Sequence, residues 1–164
     1  MKSNILLVVT TYNQSEYTKL CFDSLKKLDD NFDVLVIDDY SSDNTVELCK
    51  EYGYEIITKD KPEGLTDSWN KGYQRFIENA YYDYLIIANN DILIPDGALS
   101  ELVATYEKWP TFTLVTPLST EYGVGHCKTQ SINNFMRLVG KEIPGCEESE
   151  NYQLTQDTIL NIKK

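Results

Sequence analysis

The sequence predicts an α/β fold, a Rossmann-like and mostly parallel sheet with helices on both faces. Three observations point there. Short β-rich runs alternate with stretches of helical period through the first 120 residues, an order that predicts parallel strands joined by crossovers. The first run, Ile5-Leu6-Leu7-Val8-Val9, is apolar at every position, as in strands buried on both faces. The runs then end in polar, largely acidic residues such as Asp38-Asp39 and Asn89-Asn90-Asp91, and sheets of this kind bind ligands outside the carboxyl ends of their strands.

Strands are expected at Ile5–Thr10, Val34–Ile37, Tyr54–Thr58, Tyr84–Ala88 and Phe112–Thr116. Tyr17, Leu20, Cys21, Ser24, Leu25 and Leu28 follow the i, i+3, i+4 spacing of a first helix, and Asn13 with Glu16 forms a capping pair before it. A second helix from Asn44 to Tyr52 stops at Gly53, a residue suited to the left-handed position after a helix. A third sets Leu65, Trp69, Tyr73, Phe76, Ile77 and Ala80 on one face, with Trp69 as packing. A fourth begins at Asp96 after Pro95, buries Leu99, Leu102, Val103 and Tyr106, and ends before Pro110 with Trp109 at its end. Beyond residue 120 the alternation fades. Gly123 and Gly125 mark a loop holding His126, Ile132, Phe135, Met136 and Val139 suggest one short helix, and 144–151 is acidic and turn-like. The expected division is a core over 1–120 and a shortened C-terminal segment of the same domain over 121–164.

Composition narrows the functional classes. The chain has 164 residues, the size of one domain, with 41% apolar and 25% charged side chains. Its net charge of −11 argues against nucleic acid as a partner, because such binding rests on Lys and Arg neutralising phosphates. The early apolar run of five residues is too short for a signal-peptide core or a membrane span, so no transmembrane segment and a cytoplasmic location are expected. The four cysteines, Cys21, Cys49, Cys127 and Cys146, are widely spaced without a CxxC pair, which argues for reduced thiols and against structural zinc.

The strand ends carry the chemistry. Ser42, Asp43 and Asp96 are ordinary turn and capping residues. Asp38 and Asp39 are different, because adjacent carboxylates repel unless a donor or cation lies nearby. Asp91 follows an apolar strand, which aims it at the ligand crevice. The chain lacks a GxGxxG after its first strand, a GxxxxGK[ST] loop and a GxSxG elbow, which excludes dinucleotide-binding, phosphate-loop and hydrolase readings. A nucleotide held through base and ribose, with its diphosphate bridged by Mg²⁺ or Mn²⁺, fits an acidic crevice.

The ordered segments Val8–Asn13, Leu35–Thr45, Gly64–Gly72 and Tyr84–Pro95 resemble the nucleotide-sugar-binding half of family 2 glycosyltransferases of the GT-A fold, over about residues 4–118. The resemblance implies that Thr10 and Asp39 line a base and ribose pocket. It places the family's metal-binding DxD motif on Asn89-Asn90-Asp91, a variant similar to rhamnosyltransferase-like members, in which Asp91 alone is the direct ligand of Mn²⁺ or Mg²⁺. Asn70 and Gly72 match its Asn-x-Gly, where a close-packing glycine is an equal reading. Lys59 and Lys61 follow the third strand within reach of a base or phosphate, although lysines there are ordinarily solvated. Tyr12, Asn13, Lys61, Asn70, Asn89 and Asn90 complete the candidate nucleotide contacts. In the family an Asp in a Glu-Asp pair beyond the fifth strand serves as base; Gln156-Asp157 is its faint echo, so Asp157 is the candidate catalytic residue.

The implied activity is inverting transfer of a sugar from a UDP- or dTDP-type nucleoside-diphosphate sugar to a glycan or other hydroxyl acceptor. The alternative is a non-catalytic or incomplete nucleotide-sugar-binding module that needs a partner or a missing C-terminal part. A nucleotidyltransferase would require a Gly-rich loop after the first strand, where this chain has Thr-Thr-Tyr-Asn.

Overall fold

The computed structural model describes residues 4–109 and 114–117. Residues 1–103 form one compact unit; of a second, 104–164, only the end of one helix, Trp109 and 114–117 are described. The elements run β1 (Ile5–Thr11), α1 (Ser15–Leu25), β2 (Phe32–Asp38), α2 (Thr45–Tyr52), β3 (Glu55–Thr58), α3 (Leu65–Ile77), β4 (Tyr84–Asn89) and α4 (Ala98–Lys108). The four strands form one sheet in the order β3-β2-β1-β4, and every pairing is parallel. The α/β reading of the sequence is borne out.

All seven residues of β1 are buried because the strand is central and covered on both faces. Side chains alternate across a strand, so Leu7 and Val9 join Cys21, Phe22 and Leu25 of α1 and Cys49 of α2 on one face. Leu6 and Val8 join Leu35 and Ile37 of β2 on the other, against Phe76 of α3. Burying a side chain of Leu or Phe size contributes about 1.5–3 kcal/mol, and this two-sided core is what holds the strand ends in place. Leu99 and Val103 of α4 close over Ile5. Cys21 and Cys49 are free thiols packed as apolar groups, and burial pushes both up to about 12.

Several sequence expectations are corrected. On α1 the buried residues are Thr18, Cys21, Phe22 and Leu25, while Tyr17 and Leu20 are exposed. The Asn13–Glu16 capping pair does not form, since Gln14 occupies the N-cap position without a side-chain cap. The amide of Ser15 donates instead to Asp43, whose carboxylate also accepts from the Thr45 amide at the start of α2. On α3, Ser68 and Gly72 face the sheet, and Leu65, Trp69, Tyr73 and Ile77 are 40–53% exposed. Small residues let the helix approach the strands closely, so the large apolar ones ride on its flank. Tyr106 and Trp109 are likewise exposed. The described part of the expected fifth strand, 114–116, is irregular. Gly53 does take the left-handed conformation after α2, at φ 75°.

Candidate active site

The strand ends converge on a cleft of about 370 Å³. β1 contributes Thr10 and Thr11, with Tyr12 just after it; Asp39 follows β2; and Asn89 ends β4, with Asn90 and Asp91 just after it. The wall opposite is built from Gly64 and from Leu65 and Ser68 of α3. Strand alternation explains the grouping. Thr10 pairs in register with Asn89, and both lie on the α3 side of the sheet with Asp39. A second groove, of about 410 Å³, lies between α1 and α2 with Glu16, Glu47 and Glu51 in its walls, but no strand end opens into it.

The adjacent carboxylates are resolved by turning to opposite faces. Asp38, wholly buried, accepts from the Thr11 hydroxyl at 3.0 Å, the Ser41 amide at 2.9 Å and the Ser41 hydroxyl. Asp39 accepts from the amides of Glu63 and Gly64, each at 2.8 Å, and pairs with the Lys59 ammonium at 2.9 Å. Burial by itself would raise the Asp39 carboxyl. The Glu63 amide, the Lys59 ammonium and the Gly64 amide outweigh it and hold the group below the ordinary carboxylate value.

The other candidates divide by what they hold. Thr10 Oγ1 donates within the strand end, 3.2 Å from Asn89 Oδ1 and 3.3 Å from the Ala88 carbonyl. Asn13 lies outside the cleft wall in the left-handed region at φ 55°; its Oδ1 accepts from the Ser42 amide, and its own amide donates to Ser41 Oγ. The side-chain nitrogen of Asn90 donates to Thr18 Oγ1 at 2.8 Å and to the Asn13 carbonyl at 3.3 Å. Asn13 and Asn90 therefore knit the turns after β1, β2 and β4 together. Tyr12 stands exposed on the rim, and Asp91 is an exposed carboxylate in the cleft wall. Asn70 is exposed on α3 away from the lining. Asp157 and His126 lie outside the described residues.

Lys59 departs from the solvated lysine that the sequence suggested. Lys61 has a side chain 75% exposed and outside the cleft wall, whereas Lys59 is buried against Asp39 and Asp67. The available signal was the Asp38-Asp39 pair itself, which called for a donor or a cation nearby; nothing local said which lysine would answer. Leu65 and Ser68 were also missed as lining residues.

The family profile for glycosyl transferase family 2 matches residues 6–161. The chain belongs to glycosyl transferase family 2. This family 2 chain is 28% identical over 165 residues to the SPbeta prophage-derived glycosyltransferase SunS of Bacillus subtilis, covering 94% of itself and 37% of that protein. It spans 27–37% of the length of the curated relatives it matches. Its fold is similar to that of Staphylococcus aureus TarS 1–349 in complex with UDP-GlcNAc, at 22% identity and a TM-score of 0.57 over 64% of this chain and 31% of that one. It is also similar to a mannosyltransferase from Pyrobaculum calidifontis in complex with GDP-Man and Mn²⁺, at 18% identity and a TM-score of 0.56 over 70% of this chain and 34% of that one. The GT-A expectation is borne out at the level of the sheet and its helices. Among the described residues, no helix is long and apolar enough to cross a membrane.

Proposed function

We propose that residues 1–120 are the donor-nucleotide half of an inverting glycosyltransferase that uses a UDP- or dTDP-type sugar, with 121–164 serving the acceptor side. The observation that carries this reading is one cleft at the strand ends, with the Asp39 carboxylate on one strand end and Asp91 on another. Asp39 offers an acceptor to a base N–H. Thr10 and Asn89 face the ribose, and Tyr12 on the rim presents an aromatic face. The Asn-Asn-Asp run at β4 is the family's metal motif in the form similar to rhamnosyltransferase-like members.

Mn²⁺ or Mg²⁺ fits this donor set sparingly. Among the described residues no three His, Cys, Asp or Glu side chains form a metal cluster, but Mg²⁺ characteristically takes one or two protein carboxylates and completes its shell with phosphate and water. Asp91 would hold it, and the ion would supply Lewis-acid stabilisation of charge on the leaving diphosphate. In the proposed reaction a base takes the proton of the acceptor hydroxyl, and that oxygen attacks the anomeric carbon as its bond to the diphosphate breaks. Asp157 is the proposed base; an ordinary Asp with a pKa near 3.9 is ionised at neutral pH. The acceptor is a glycan or another hydroxyl compound, and a cytoplasmic location is part of the same reading.

The second reading is a nucleotide-sugar-binding module that does not transfer by itself; the cleft supports it as well, because the residues that line it account for donor binding alone. Thermal shift with UDP, dTDP and ADP, each with and without Mn²⁺, tests the common part, because specific binding raises the melting temperature by mass action. No shift with any of them would overturn both readings. Turnover of a bound sugar nucleotide separates them. The expected result for this chain by itself is binding with slow transfer, and efficient transfer lost in Asp157→Asn would establish that residue as the base.

A further inference from the structure

Lys59 is a buried charge that the proposed chemistry leaves unused. Its side chain is 1% exposed, and its ammonium lies 2.9 Å from Asp39 Oδ1 and 2.9 Å from Asp67 Oδ2. It also donates to the Gly64 carbonyl at 3.1 Å. Lysine is almost never buried this far unless paired. The three contacts tie the end of β3, the turn before α3 and the first turn of α3 to the carboxylate after β2. Asp67 has a second partner, Lys71 at 3.3 Å, and Lys71 also faces Glu63 at 3.7 Å.

The consequence falls on Asp39. An ionised carboxylate has about four acceptor sites, two on each oxygen. Oδ1 takes the Glu63 amide and the Lys59 ammonium, and Oδ2 takes the Gly64 amide. The site left over is on Oδ2, and Asp39 forms part of the cleft wall.

We propose that Lys59 is a positioning residue that occupies Asp39 Oδ1 and so leaves Oδ2 as the one acceptor presented to a bound base, which makes the cleft prefer an imide N–H edge over an amino edge. This rests on the donor-nucleotide reading above. Uracil and thymine carry an N–H at ring position 3, whereas cytosine has a bare acceptor nitrogen there. With the ammonium gone, Oδ1 regains a free site, the carboxylate loses one of three anchors, and it can turn to meet an amino group.

The test is titration calorimetry of UDP and CDP against the whole chain, as wild type, Lys59→Met, Asp67→Asn and the Lys59→Met/Asp67→Asn double variant, which keeps the buried charge balanced should the single Lys59 change fold poorly. Wild type and Asp67→Asn are expected to prefer UDP, while both Lys59 variants lose about tenfold of that preference, the equivalent of one charged hydrogen bond. Hydrogen exchange in the ligand-free protein supplies an arm independent of any nucleotide: the Glu63 and Gly64 amides should exchange faster in the Lys59 variants than in Asp67→Asn. An unchanged UDP-to-CDP ratio in the folded Lys59 variants, or equal amide protection in all four proteins, overturns the proposal. Wild type that binds neither nucleotide overturns the donor reading itself, and the specificity role falls with it.

Discussion

Gly72 of α3 lies on Val8 of β1 so closely that a Cβ at position 72 would sit 2.6 Å from Val8 Cγ1 and 3.2 Å from its Cβ. The contact sets how near α3 comes to the sheet, and α3 forms the wall of the cleft opposite Thr10 and Asn89. Alanine in place of a mid-helix glycine gains about 1 kcal/mol of helix propensity. Overpacking a fitted core costs about 1–3 kcal/mol, and valine is stiff at χ1. Gly72→Ala is therefore expected to destabilise, by up to about 2 kcal/mol net in urea denaturation, and a stabilised variant would show that the helix can simply lift away.

UDP or dTDP should bind more tightly than ADP by about 1–3 kcal/mol, the range for a hydrogen bond to a charged group. Asp39→Asn should remove that preference. The variant should also lose stability, because Lys59 then keeps only Asp67 as a counter-charge and the Glu63 and Gly64 amides lose their carboxylate. Calorimetry and a melt on the same sample separate the two effects; equal affinities for the three nucleotides in wild type would refute the base assignment.

The same pair dictates a pH dependence with opposite signs at its two ends. Asp39 is held below the ordinary carboxylate value, so its stabilisation is complete above about pH 4–5 and is lost as pH falls through the lowered value. Burial lowers Lys59, but Asp67 and Asp39 outweigh it and hold it above its usual value. Its stabilisation is complete below about pH 10 and is lost as pH rises past that raised value. Melting temperature against pH should fall less steeply on the acid side in Asp39→Asn than in wild type; parallel acid limbs would count against the pairing.

Asp91 is exposed. Asp91→Ala should leave the melting temperature of the ligand-free protein within about one or two degrees, as surface substitutions do. It should also abolish the effect of Mn²⁺ on UDP binding. A large fall in stability, or Mn²⁺ dependence that survives the change, would make Asp91 a structural residue.

How much of this was legible depends on the range of each interaction. β1 announces itself because five successive apolar residues suit a strand covered on both faces, and Gly53 because only a residue without a Cβ enters the left-handed region at little cost. Placing Asp39, Asn89 and Asp91 around one ligand crevice needed no more than parallel strands whose carboxyl ends lie together. Such features follow from a period or a single backbone angle, both written in neighbouring residues.

Contacts between residues distant in sequence were a different matter. That Lys59 rather than Lys61 is buried, that Ser68 and Gly72 rather than Trp69 face the sheet, and that Asn13 and Asn90 bond the turns together all depend on partners 20 to 80 positions away or on how closely a helix sits. The amino-acid sequence by itself determined the sheet and the edge at which its ligand site lies. Only the tertiary structure decided which side chains face that site and which are spent holding it, because a charge or an amide finds its partner through space, and periodicity along the chain carries no record of that distance.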